Sequence, residues 1–136
     1  MGETFMQVQY ASLALLLVTA SASATPVYLS CSVSSATETQ RFSVSVDEAT
    51  NKITHTGEKG SAFNADGFFS VNEISYKNVN CASGICVTNQ YTINRINLAV
   101  THLFRAEAVR KSLGLAPKDI LSQGACEIVP APERKI

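Results

Sequence analysis

The chain has 136 residues, 46% of them hydrophobic, with 11 basic and 11 acidic side chains, four Cys and no Trp. That length holds one domain rather than two, and the apolar content is too high for a disordered chain. The charge balance lacks the basic excess of a nucleic-acid binder, so no nucleic-acid partner is expected.

Residues 1–24 read as a secretory signal peptide. Ala11-Ser-Leu-Ala-Leu-Leu-Leu-Val-Thr-Ala20 is an apolar run, and Ala22-Ser23-Ala24 comes after it as a small-x-small cleavage site before Thr25. The run is too short to cross a bilayer, which needs about 20 residues. The stretch before it holds Glu3 and no Lys or Arg, and a start at Met6 would remove Glu3. A lipoprotein site at Tyr28-Leu-Ser-Cys31 is the competing reading. Tyr28 suits a lipobox poorly, and lipidation of Cys31 would leave an odd number of cysteines. The expected product is a single exported β-domain over 25–136, periplasmic or secreted, with no stable membrane span.

Alternation of period two dominates the rest of the chain. Val27, Leu29, Cys31 and Val33 alternate with Tyr28, Ser30 and Ser32, and Phe42, Val44 and Val46 with Ser43 and Ser45. Both patterns fit strands with one buried face. The turn cluster Asp47–Asn51, with Lys52–Thr56 after it, predicts a hairpin over 40–56. Thr56–Gly60 and Asn64–Gly67 are further turn signals, with Phe63, Phe68 and Phe69 in short or irregular strands around them. Val71–Tyr76 reads as a strand and Lys77–Cys86 as a polar loop. Val87–Asn94 and Leu98–Phe104 form a second predicted hairpin around Arg95-Ile96-Asn97. Ala106, Val109 and Leu113 recur at helical spacing, so one short helix is expected near 105–114, ended by Gly114. A strand continued to Glu107 is the alternative. Ala116-Pro117 marks a loop, Gly124–Val129 the last strand, and residues from about 130 a solvated tail. Roughly seven to eight short strands imply a small antiparallel β-barrel or sandwich.

Four cysteines allow three disulfide connectivities. Ser83-Gly84 supplies a turn that lets Cys81 pair with Cys86, leaving Cys31 with Cys126. A four-thiolate zinc site is the rival, but Cys31 and Cys126 are isolated in sequence, unlike paired zinc ligands.

Chemistry-bearing patterns are sparse. The two histidines, His55 and His102, sit mid-strand and read as hydrogen-bonded structural residues. There is no Gly-x-Ser-x-Gly, no phosphate loop at Gly57–Gly60, and no metal-ligand spacing. Asp47-Glu48 and Asp66-Gly67 suit turns. No catalytic residue, metal or cofactor is assigned, and the chain is read as a non-enzymatic binding protein. The candidate binding surfaces are the segments 57–67 and 77–86; in the first, Glu58, Lys59, Asn64 and Asp66 mix with Phe63 and Phe68. Aromatics among charges suit a protein interface; the opposing reading places Phe63 and Phe68 in the core.

Tyr28-Leu-Ser-Cys31 near the start and Gly124-Ala-Cys126 near the end give an outline that resembles the periplasmic or membrane-bound inhibitors of c-type lysozyme. The resemblance covers only the two ends of the domain and transfers no functional residue. It implies a small antiparallel barrel that inserts a loop into a hydrolase cleft. Tyr91-Thr-Ile-Asn-Arg95 is similar to a hairpin of exported bacterial proteins of unassigned activity. The leading expectation is therefore an exported binder of a secreted or envelope protein, an inhibitor of a hydrolase such as lysozyme being its concrete form. The alternative is a small-molecule carrier with a cavity lined by Phe42, Val44, Tyr91 and Phe104.

Overall fold

The computed structural model describes Gly2, residues 25–109, Gly114 and residues 116–133. Gly2 aside, the expected signal segment lies outside the described residues. Nine strands succeed one another: β1 (Val27–Ser34), β2 (Thr39–Asp47), β3 (Lys52–Gly57), β4 (Ala62–Asp66), β5 (Phe68–Phe69), β6 (Glu73–Ala82), β7 (Ile85–Asn94), β8 (Ala99–Ala108) and β9 (Lys118–Val129). They pair antiparallel in one sheet of order β4-β3-β2-β1-β9-β8-β7-β6-β5. The sheet curls into a nearly closed barrel. Its seam lies between β4 and β6, where the Phe63 and Tyr76 rings approach with centroids 6.2 Å apart. The expected all-β antiparallel fold is observed, as a barrel rather than a sandwich, with nine strands where seven to eight were expected; β4 and β5 are the short strands expected around Phe63, Phe68 and Phe69.

The period-two reading is realised as an inside and an outside. Leu29, Cys31 and Val33 of β1 and Phe42, Val44 and Val46 of β2 are buried, as are Ile53, Ile74, Ile93 and Val100 from the other strands. Hydrocarbon burial on one face is what selects the register, because a one-residue slip would turn this set to solvent.

Two local expectations are corrected. Arg105–Ala108 is the end of β8 rather than the start of a helix near 105–114, and the described residues contain no helix. Residues 110–113 and 115 lie outside the described residues. Ala106 faces Val87 on one side and Lys118 on the other, so two neighbouring strands claim its backbone. Ladder pairing on both edges outweighs the weak preference of a ten-residue amphipathic segment, which is marginal alone. Lys77–Cys86 is likewise no loop. It forms the end of β6, the start of β7 and the turn between them. Ser83 and Gly84 hold φ of 52° and 77°, the left-handed pair of a two-residue hairpin turn.

Both disulfides join directly paired residues: Cys31–Cys126 across β1 and β9, and Cys81–Cys86 across β6 and β7. The first is buried in the barrel. The second lies on the sheet face opposite Tyr76 and Tyr91, above the mouth of the hairpin. No cysteine is free. Two disulfides fit an oxidising compartment. No described helix is long and apolar enough to cross a membrane.

One end of the barrel is clamped by Arg95. Its guanidinium donates to both carboxylate oxygens of Glu48, at 3.1 and 2.8 Å, and to the Ser70 carbonyl at 2.9 Å. This ties the β2–β3, β5–β6 and β7–β8 connections together. Asn94 Oδ1 accepts from the backbone N–H of Ile96 and Asn97, which shapes the same turn. The Tyr91–Arg95 motif thus builds structure: Tyr91 and Ile93 point inward, Asn94 caps and Arg95 clamps.

Candidate functional site

The inward positions of β6, β7, β8 and β9 stack in tiers set by the register. The tier near the clamped end is Ile74, Ile93, Val100 and Gly124. The next is Tyr76, Tyr91, His102 and Ser122. The one beyond is Asn78, Asn89, Phe104 and Ile120. Hydrocarbon gives way to rings with polar edges, and these to carboxamides. On the facing wall, Val44, His55 and Phe63 lie side by side across β2, β3 and β4.

The middle tier closes the barrel with a layer of rings. Tyr91 stacks on His102 (4.4 Å between centroids, 4° between planes) and on Tyr76 (5.0 Å, 15°). His55 is sandwiched between Phe42 (4.5 Å, 20°) and Phe63 (4.7 Å, 16°). The two stacks meet across the interior, His55 to Tyr91 at 4.6 Å. Directly opposed and diagonal aromatic pairs are the ordinary contacts of neighbouring strands. Here they come from both walls and form a floor.

Hydrogen bonds orient the floor. His55 Nδ1 lies 2.8 Å from the Tyr76 hydroxyl. Tyr76 is 1% exposed and has no other partner among the described residues, so its hydroxyl donates to Nδ1 and the imidazole proton sits on Nε2. His102 Nε2 donates to Asn89 Oδ1 at 2.8 Å, leaving its Nδ1 buried and unpartnered among the described residues. Burial pushes the His55 pKa down to about 4, and the nearby His102 adds to the effect. Burial also lowers His102, partly opposed by the Glu38 carboxylate. Burial raises Tyr91 to about 12, and raises Tyr76 further with help from Tyr91. Both imidazoles and both phenols are therefore uncharged near neutral pH.

Beyond the floor the barrel is not filled. A cavity of about 690 Å³ opens there, with Gln40, Asn78, Asn80, Asn89 and Ser122 among its lining residues. The volume falls within the usual range of small-molecule sites, about 300–1,000 Å³. Phe63 and Phe104 line it from two sides, and among the described residues Glu38 is the one charged residue that does.

The segment 57–67 is not a protruding loop. Glu58 and Lys59 are exposed in the β3–β4 turn, which Gly57 and Gly60 close through Gly60 N–H to Gly57 O. Asn64 and Asp66 are on the outer face of β4, where Asn64 accepts from the Thr54 hydroxyl and Asp66 pairs with Lys52. Only Phe63 turns inward to the cavity; the five residues do not form one site. Phe63 packs against the core, whereas Phe68 is 67% exposed. Of the residues expected to line a carrier cavity, Tyr91 and Phe104 do so, while Phe42 and Val44 are buried in the core.

Sequence reasoning missed Asn78, Asn80, Asn89, Gln40 and Ser122. The signal was present in part: continuing the alternation of Ile74 and Tyr76 by two places each time reaches Asn78 and Asn80. Their polarity reads as a loop only if every inward position must be apolar. No known protein family, characterised protein or solved structure matches the chain.

Proposed function

We propose that this protein is an exported, non-enzymatic binding protein that holds a small molecule in the open end of its barrel. One observation carries the reading. Inward positions change from hydrocarbon to carboxamide and hydroxyl halfway along the barrel, beside a cavity of about 690 Å³. A barrel that only had to be stable would continue its core there, because each buried methylene adds about 0.8 kcal/mol. Barrels of about this strand number are wide enough either to be filled by side chains or to hold a single small ligand. The two disulfides support export to the periplasm or the medium. Binding by insertion of segment 57–67 into a partner's cleft draws less support, since residues 62–66 are paired as β4.

Native mass spectrometry of protein purified from the medium or periplasm, without denaturation, tests the proposal. The expected result is a co-purifying mass that disappears on unfolding. It should be absent from Ser122→Phe, which fills the cavity. Protein that arrives empty, and whose cavity amide resonances stay unmoved across a fragment library, would overturn it.

A further inference from the structure

The floor also specifies what kind of ligand the cavity takes. We propose that it is a hydrogen-bond donor site for a carbonyl-type oxygen on an uncharged, flat ligand, formed by His55 Nε2, the Tyr91 hydroxyl and the Asn89 carboxamide. This rests on the small-molecule reading and adds the chemistry to it.

The first support is the pattern of used and unused groups. His55 and Tyr91 are 7% and 5% exposed, and both line the cavity. Neither His55 Nε2 nor the Tyr91 hydroxyl has a partner among the described residues, and neither is a sealed orphan within the core. The acceptors beside them are already taken: Tyr76 occupies His55 Nδ1, and His102 occupies Asn89 Oδ1. Asn89 is left with its NH₂ group. The groups left at the floor's edge include an imidazole N–H, a phenol O–H and an amide NH₂, each of which donates to an acceptor on the ligand.

Ring geometry gives the direction. The faces of His55 are covered by Phe42 and Phe63, and those of Tyr91 by Tyr76 and His102. The N–H and O–H are therefore offered edge-on. Their rings are neighbours, since the His55 and Tyr91 centroids are 4.6 Å apart and Tyr91 lies against His102, the partner of Asn89. A single oxygen with two lone pairs suits such a cluster. Phe63 and Phe104 on the walls favour a flat apolar body behind that oxygen.

Charge disfavours the commoner anionic oxygen ligands. Among the described residues no Lys or Arg lines the cavity itself and Glu38 does, while Arg41 and Lys59 line an adjoining hollow that shares Glu38, Gln40, His55 and Ser61 with it. A carboxylate or phosphate would leave water for a cavity whose described lining holds one like charge and no direct countercharge.

The test uses four bicyclic compounds of one shape: 1-tetralone, tetralin, 1-naphthoate and 1-aminotetralin, with methyl β-glucoside as a fifth. Binding is monitored by amide chemical shifts in the full domain at pH 7. 1-Tetralone is expected to bind about 3- to 10-fold more tightly than tetralin, the range of one net neutral hydrogen bond. Tyr91→Phe keeps the ring stack and should erase most of that difference while leaving tetralin unchanged. The bound ketone's carbonyl stretch should shift down, less so in Tyr91→Phe. Equal affinity for ketone and hydrocarbon would overturn the inference and leave the small-molecule reading intact. Tighter binding of the naphthoate, the amine or the glucoside would do the same. Failure of all five, with an empty protein in the native mass spectrum, would remove both.

Discussion

Acidification should weaken the fold through His55 well before the carboxylates titrate. An unfolded histidine protonates near pH 6.5, whereas burial holds the folded His55 near 4. Between those values the unfolded chain binds more protons than the folded one, so stability falls as pH falls. The ceiling follows from the fall from 6.5 to about 4 and comes to about 3 kcal/mol. At pH 4.5 most of it is reached, roughly 2–3 kcal/mol, and His102 pushes the same way because burial lowers it too. Asp119 is held low by the hydrogen bond from Arg105, so its stabilisation persists until the pH falls below its ordinary 3.8. The window between pH 7 and 4.5 therefore belongs mainly to the imidazoles. Urea unfolding of the purified domain at constant ionic strength measures the loss, and His55→Gln should flatten the slope whatever it does to stability at pH 7. The imidazole Cε1–H resonance of His55 should stay at its neutral position down to about pH 5. A stability constant to within 0.5 kcal/mol across the window would refute the reasoning, as would a slope unchanged in His55→Gln.

Single contacts set the other expected outcomes. A Cβ on Gly124 would sit 1.7 Å from the Ser32 carbonyl oxygen and 2.9 Å from Val33 Cα. Both are backbone atoms of β1, which no rotamer change can move, so Gly124→Ala should lose at least about 3 kcal/mol in urea melts. Gly57→Ala, whose Cβ meets only Ser61 atoms at 3.2 and 3.6 Å, should lose far less. Removing Cys31–Cys126, which spans 95 residues, should cost up to about 4–5 kcal/mol by chain entropy, and Cys81–Cys86, which spans 5, about 2. Paired Cys→Ala variants compared by thermal unfolding check the order, and a costlier short bridge would contradict it. Arg95→Ala should cost roughly 1–2 kcal/mol, since its bidentate pair is partly exposed but also serves the Ser70 carbonyl. High salt should narrow that difference.

Much of this fold is written in alternation, and the failures have identifiable causes. The buried set of β1 and β2 and the hairpin of β2 and β3 are plain in the sequence because hydrocarbon repeats at every second place. The same rule broke down at Asn78, Asn80 and Asn89, which keep the parity but not the chemistry. A polar inward position is indistinguishable from a loop until the opposite wall is known to stand away from it. The helix expected near 105–114 failed for a different reason: Ala106 satisfies both periods, and pairing with β7 and β9 decides. The disulfides were accessible because a two-residue turn between Cys81 and Cys86 leaves one remaining pair. The donor cluster was not, because His55 and Tyr91 are 36 positions apart and meet only when the sheet closes.

The ring floor explains how a half-filled barrel can be stable. An apolar core cannot border a wet cavity directly without either exposing hydrocarbon or burying unpaired polar groups. Tyr and His resolve this because each is apolar on its faces and polar at its edge. In this barrel the faces are consumed sideways, in the Phe42–His55–Phe63 and Tyr76–Tyr91–His102 stacks. Two polar edges are tied to neighbours, Tyr76 to His55 and His102 to Asn89, and two are left for the cavity. Replacing the floor by hydrocarbon would keep the barrel and remove the donors. The use of rings at these positions is therefore better explained by the cavity they face than by the core they cover.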